Sequence, residues 1–403
     1  MASFARPLQR LLQVEKSCFK RSALPQLHSP RRLGLGGCMW TRWRDEARSF
    51  AVVVSQERMD EFLTAEIAYL GRGETTTITV EQILAQKSKE DIARLILEEL
   101  PSRFAKRIVD IEKLSKDFSE IPGLHELHGC LSLSFRRLQM IDTSAEEWLV
   151  HFHDVIADLR ERHRVVVPSL AESARQFRQL GLLSDEETDA WVKKFMMSRL
   201  GTEMLTKHFT LFQDGGAESG QIGVVDKRCL PADICQQAID HLHHRFDTSG
   251  VEFVMKVDRG DIEFSFIPSY LFYIVEELLK NALKVISTRG LVKPEQRRVK
   301  IHVAAVPERV GIKISDKAGG VPTRMEEKIY QYNFTTFPKE KQQDYVETGS
   351  PLSGPGMGLP LCKLYAQYLG GDMQLLTMPG VGTDVYVFLN NVDAIAMAQR
   401  ADR

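Results

Sequence analysis

The chain has 403 residues, 53 Lys+Arg against 54 Asp+Glu, 43% hydrophobic residues and a formal net charge of −1. That length suits two or three domains with cores of their own. No run approaches the roughly 18 consecutive apolar residues of a membrane span, and the neutral balance argues against a dedicated nucleic-acid binder.

The six cysteines, at 18, 38, 130, 229, 235 and 362, form no CxxC pair. A disulfide scaffold or structural zinc site is therefore disfavoured, and a reducing compartment fits better. The charge is uneven. Residues 1–44 carry nine Lys/Arg and one acid, Glu15, leaving 44 basic and 53 acidic residues behind them. In the opening segment Phe4, Leu8, Leu11 and Leu12 fall at helical spacing with Arg6 and Arg10 between them. An Arg-rich, acid-poor amphipathic start reads as a mitochondrial presequence over 1–44, and so as delivery to the matrix. A disordered basic tail has the same composition, whereas secretion lacks its uninterrupted apolar segment.

From 55 to 212 the pattern is helical. Ile92, Leu95, Ile96, Leu100, Phe104 and Ile108 recur at three- and four-residue steps, with Pro101 expected to kink or divide the segment. Ser144 with Glu147, and Ser184 with Glu187, predict capping boxes ahead of two further helices. These long amphipathic helices with short joints predict an antiparallel bundle, which itself shows no clear chemistry. Gly, Ser and acids at 213–225 read as a linker. Beyond it, 299–306 and 310–316 alternate around Pro307-Glu308-Arg309 as a hairpin, and 383–389 has the same period. Helices are predicted over 270–286 and 359–369, the second stopped by Gly370-Gly371. The layering expected is a sheet covered by helices on one face, an α+β class.

On the first of those helices Glu277, Lys280 and Asn281 share a face, and Leu278, Leu279, Ala282 and Leu283 form a core stripe. Asn281 offers a neutral oxygen suited to Mg²⁺ when phosphates supply the charge, and Glu277 could take a proton from an attacking hydroxyl. Read alone, the trio is more commonly a surface decoration of an amphipathic helix. Asp316, in Ser315-Asp316-Lys317-Ala318-Gly319-Gly320, ends a strand where a carboxylate can accept from an exocyclic amine such as adenine's; Asp and Gly also favour turns. Gly354-Pro355-Gly356-Met357-Gly358-Leu359-Pro360 leads into a helix and would let backbone N–H groups approach an anion. Gly380-Val381-Gly382-Thr383-Asp384 precedes the last strand and reads equally as a turn. His241, His243 and His244 read as solvated helix histidines rather than metal ligands.

In this order the four segments resemble the GHKL ATP-binding fold of histidine kinases, heat-shock chaperones and gyrases. Within it, SRLGTEMLTKHFTLF (198–212), ELLKNALK (277–284), NFTTF (333–337), GLPLCKLYAQYLGGDMQL (358–375) and GVGTDVYVFL (380–389) resemble the mitochondrial kinases of 2-oxoacid dehydrogenase complexes over about 55–392. Tyr273, Phe334-Thr335-Thr336 and Tyr368-Leu369-Gly370-Gly371 look more like the branched-chain branch than the pyruvate branch, in which position 273 is usually His.

The resemblance implies a helix bundle over 55–212 and a GHKL-type α/β sandwich over 225–392. It implies Glu277 as general base, Asn281 as Mg²⁺ ligand and Asp316 as adenine reader. Lys280, Lys284, Gly320, Thr335, Thr336, Gly354, Gly356, Met357, Gly358, Leu359 and Thr383 would line the ATP site, with K⁺ a further ion some members bind. It implies phosphoryl transfer from MgATP to a Ser of a decarboxylase component, docking on the lipoyl-bearing acyltransferase core, and a homodimer. Three departures stand out. Ala318 replaces the first glycine of the family's DxGxG, so the turn must avoid φ > 0 there or accept strain. Lys284 stands where Arg is usual, and the C-terminal Asp-Trp of pyruvate-branch dimers is missing. A GHKL ATPase, or a pseudokinase scaffold on the same complex, remains the rival reading. No P-loop, no VAIK, HRD and DFG set, and no phosphoacceptor His motif is present.

Overall fold

The computed structural model describes residues 55–74, 77–114, 118–213, 220–259, 263–291, 293–335 and 356–392. The presequence expected at 1–44, Thr336, Gly354 and the C-terminal tail lie outside them.

The helical half holds α1 (Gln56–Leu70), α2 (Val80–Leu84), α3 (Lys89–Leu114), α4 (Pro122–Gln139), α5 (Trp148–Arg162), α6 (Val166–Leu180) and α7 (Asp185–Leu211). The helix α3 packs on α1, α4 and α7, α4 also packs on α5 and α6, and α7 on α5 and α6. The apolar stripes meet in a core of fully buried Phe104, Phe135, Phe152, Phe177 and Phe209, with Phe152 and Phe209 edge to face at 4.9 Å. Pro101 is buried inside α3, which runs on unbroken for 26 residues. The expected division does not occur, because packing on three neighbours outweighs the missing N–H.

Only one of the two predicted capping boxes forms. Ser184 accepts from the Glu187 amide and Glu187 reaches back to the Ser184 amide, opening α7. Ser144 does not cap: Asp142 Oδ1 takes both its N–H (3.1 Å) and its hydroxyl (2.6 Å). The helix α5 starts later, at Trp148, with no side-chain cap.

The second half starts inside the predicted linker, with β1 (Gln221–Ile222) and β2 (Val225–Cys229) pairing antiparallel. After α8 (Pro231–Arg245) come β3 (Glu252–Asp258), β4 (Phe264–Phe266) and α9 (Pro268–Thr288). Then follow β5 (Arg298–Val306), β6 (Arg309–Asp316), α10 (Thr323–Glu326), α11 (Gly358–Tyr368), β7 (Asp372–Met378) and β8 (Gly382–Asn390). The main sheet has the order β3-β5-β6-β8-β7, antiparallel except for the parallel β3–β5 pair. A small sheet β1-β2-β4 stands beside it. Burial alternates along β5, most of β6 and, from Val385 on, β8: Val299, Ile301, Val303, Ile312, Ile314, Val385 and Val387 point into the helix layer of α9 and α11. Lys313 lies on the opposite face, paired to Asp384 at 2.7 Å. The fold is therefore α+β, a helix bundle followed by an α/β sandwich.

Candidate active site

The site is built from three pieces of the sandwich: the middle of α9, the turn after β6, and the N-terminus of α11. Leu278, Leu279, Ala282 and Leu283 are buried against the sheet and neighbouring helices, so the opposite side of α9 is fixed in rotation. Glu277 is not a surface residue. Its side chain is 9% exposed and its Oε1 is paired with Lys280 Nζ. Gly358, the first residue of α11, lies against the same carboxylate: a Cβ there would fall 2.6 Å from Glu277 Oε2. The N-terminus of α11 therefore faces the Glu277 carboxylate.

One turn on, Asn281 Nδ2 is buried with no hydrogen-bond partner among the described residues. Amide nitrogen and oxygen exchange by a flip, so this unpartnered end can present a carbonyl oxygen to a hard divalent cation. Mg²⁺ fits these residues. Lys284, a further turn along, is lowered from the usual lysine value by burial, with Glu277 pulling it back up and Lys280 pushing it down. Tyr273, one turn before Glu277, is buried against Tyr365 at 5.1 Å, and its hydroxyl too has no partner among the described residues.

The second piece is the turn that follows β6. Asp316 Oδ1 accepts the Ala318 N–H at 2.8 Å, and burial raises its carboxyl above the usual range. Ala318 is not among the residues with positive φ; Gly319 (φ 96) and Gly320 (φ 63) take the left-handed positions. The alanine departure is thus accommodated without backbone strain. Gly320 has no room for a side chain, since a Cβ would meet the Met378 carbonyl at 2.4 Å. Thr383 is directly across the ladder from Asp316 and within 3.5 Å of the Thr377 hydroxyl.

The third piece is the N-terminus of α11 with the residues that lead into it. Gly356 (φ 78) packs on Asn333, accepting its N–H at 3.1 Å. Met357 is fully buried, Leu359 half-buried and Thr335 exposed. Contacts thus unite Glu277, Lys280 and Gly358 at one end, and Asp316, Gly320 and Thr383 at the other.

Three arrangements had no sequence signal. His241 is not merely solvated, because its Nδ1 lies 2.7 Å from Glu276, itself buried beside Glu277; His243 and His244 are exposed. The bundle, silent in sequence, buries Arg103, Arg107 and Arg199, and burial with the other two arginines pushes Arg107 down to about 9. A cavity of about 640 Å³ opens beside Arg199 between α7 and α9, lined by Arg160, Glu203, Tyr270 and Glu276 but by neither Glu277 nor Asn281. Last, Arg289 reaches from the end of α9 to the carbonyls of Ala318 and Gly320 in the turn after β6.

Residues 77–226 match the family described as mitochondrial branched-chain alpha-ketoacid dehydrogenase kinase. Residues 267–392 match the family of histidine kinase-, DNA gyrase B- and HSP90-like ATPases. Mitochondrial pyruvate dehydrogenase (acetyl-transferring) kinase isozyme 1 of Rattus norvegicus is 28% identical over 311 residues, covering 72% of this chain and 71% of the relative. Isozyme 4 of Mus musculus is 27% identical over 344 residues, covering 80% and 83%. The two family matches divide where the helical half gives way to the sandwich, and both kinase relatives run across that junction. Bundle, sandwich and the α9–α11 geometry all agree with one assignment: the chain belongs to the family of mitochondrial 2-oxoacid dehydrogenase kinases, within the GHKL superfamily.

Proposed function

We propose that this protein is a mitochondrial matrix protein-serine kinase that transfers the γ-phosphate of ATP to a serine on the decarboxylase component of a 2-oxoacid dehydrogenase complex, so lowering the complex's activity. The observation that carries it is the Glu277 carboxylate, paired to Lys280 and set against the N-terminus of α11, with the unpartnered amide of Asn281 one turn on. Asp316 would accept from the adenine amine, and the backbone of Gly356 and Gly358 would approach the phosphates at the helix N-terminus. Mg²⁺, held through Asn281, would neutralise phosphate charge. Glu277 Oε2 would take the proton of the serine hydroxyl as its oxygen bonds to the γ-phosphorus and the bridging oxygen departs with ADP. Lys280 and Lys284 hold positive charge beside the transfer. Docking on the lipoyl-bearing core, and a homodimer, belong to the same reading. The family description matched by the bundle and the tyrosine at 273 favour a branched-chain substrate; the kinase relatives favour pyruvate dehydrogenase.

Incubation of the parent and Glu277→Gln with labelled ATP and each decarboxylase component, side by side, tests this. Label on one component, lost in the variant by about a hundredfold or more, is the expected result. Free phosphate without labelled protein would make it an ATPase, and parent and variant equally inactive would make it a scaffold.

A further inference from the structure

The peptide unit around Ala318 is held from both sides. Its N–H is taken by Asp316 Oδ1 at 2.8 Å, and its carbonyl by the guanidinium of Arg289 at 2.7 Å. The other arm of the same guanidinium reaches the Gly320 carbonyl at 3.1 Å. A planar fork donating to two carbonyls of one turn is a geometry that lysine cannot reproduce. The turn is shaped to admit it: Gly319 lies at φ 96, and a Cβ there would fall 2.3 Å from Arg289 Nη1. Arg289 is also the residue that ends α9, its own N–H still bonded to the Val285 carbonyl at 3.2 Å. One residue thus fastens the helix that bears Glu277 and Asn281 to the turn that bears Asp316. Its charge opposes the effect of burial on the Asp316 carboxyl.

We propose that Arg289 is a positioning residue for adenine recognition, locking the Asp316–Gly320 turn to the end of α9 so that base and phosphates are gripped in one fixed register. This rests on the reading of Asp316 as the adenine acceptor. Without the fork, Ala318 and Gly320 lose charge-assisted bonds, the Ala318 amide is free to rotate away, and Asp316 loses the contact that orients it. The phosphate end, built from α11 and the middle of α9, is untouched.

The test is equilibrium binding of MgATP and MgADP to the full chain, for the parent, Arg289→Ala and Arg289→Lys, with thermal melting of each. Arg289→Ala should weaken both nucleotides by the same factor, about tenfold, because the turn meets the base and not the γ-phosphate. Arg289→Lys should recover part of that loss, and kcat at saturating ATP should stay near the parent's. Binding equal to the parent's in Arg289→Ala overturns the inference, as does a loss confined to MgATP, or a lowered melting point with unchanged affinity. Should Arg289→Ala not fold, Arg289→Lys decides: a smaller but measurable loss of both nucleotides supports the inference, and parent-like binding overturns it. A parent that binds neither nucleotide would sink the ATP-site reading itself, which is a separate outcome.

Discussion

Gly358 shows how closely a backbone can define the setting of a buried carboxylate. The 2.6 Å between its would-be Cβ and Glu277 Oε2 leaves no room for a methyl group. Gly358→Ala should push the carboxylate off the α11 terminus while leaving the core intact. Phosphoryl transfer should drop at least about tenfold, with a melting point within a few degrees of the parent's. A steady-state assay beside a thermal melt checks it, and unchanged kcat would remove the α11 contact from the mechanism. Asp316 gives a pH prediction. Burial lifts its carboxyl above the ordinary 3.8, so the folded state holds that proton more tightly than the unfolded chain does. Its contribution to stability is therefore fullest below the ordinary aspartate range and is lost as pH rises through the raised value. Nucleotide affinity should run the other way, weakening on acidification as the acceptor is protonated. Titrating ATP affinity and apo stability over the acid range should show opposite trends, both flattened in Asp316→Asn. At this scale Glu277, Asn281 and Asp316 could be picked out in the sequence because their residue types and spacing carry chemistry. Arg289 and the Glu276–His241 pair could not: an arginine at a helix end and a Glu beside another Glu look like surface charge until the fold supplies their partners.

Elements separate two kinds of sequence signal. Ser184 and Ser144 each precede a Glu by three residues, and only the first caps. What differs is Asp142, whose carboxylate captures the Ser144 amide and hydroxyl before a helix can use them; local side-chain competition of this kind is invisible to a pattern of two residues. Ser184→Ala should therefore cost about 1 kcal/mol, a fall in melting point of about 2–4 °C for domains of this size. Ser144→Ala should cost clearly less, and equal losses in paired melts would contradict the structural distinction. The β5–β6 hairpin and β8 were legible because strict alternation reports a sheet with one covered face. The strands β1 and β2 were not, because two and five residues in a Gly-rich stretch give no period to read. Pro101 failed as a divider for the opposite reason: the rule is local, and α3 is stabilised along its length by neighbours the rule does not see.

Across the whole molecule, the bundle does more than accompany the sandwich. The segment at Tyr332 and Asn333 is gripped by two of its helices. Tyr332 donates its N–H to Asp189 at 3.1 Å and gives its carbonyl to Arg178 at 3.0 Å, while Arg178 is itself paired with Asp189 at 2.8 Å and Asp185 at 2.7 Å. Asn333, held in the left-handed region at φ 63, sends its amide to the Ala171 carbonyl at 3.0 Å. A non-glycine residue at positive φ persists where surroundings over-determine it, and here the surroundings are the ends of α6 and α7. The grip therefore fixes the backbone of Tyr332 and Asn333, on which Gly356 packs just before α11. No motif announced it, since each partner lies more than a hundred residues from Tyr332 in sequence. Asp189→Ala would strip Arg178 of a half-buried partner and leave the Tyr332 amide unpaired, a loss of about 1–3 kcal/mol. Most of that loss should be local. Native-state hydrogen exchange should show residues 332–335 losing protection while β5 and β6 keep theirs, and affinity for MgATP should fall in the same variant. Uniform deprotection of the sheet would instead make Asp189 a residue of global stability, and unchanged exchange at 332–335 would mean this segment is held from within the sandwich alone.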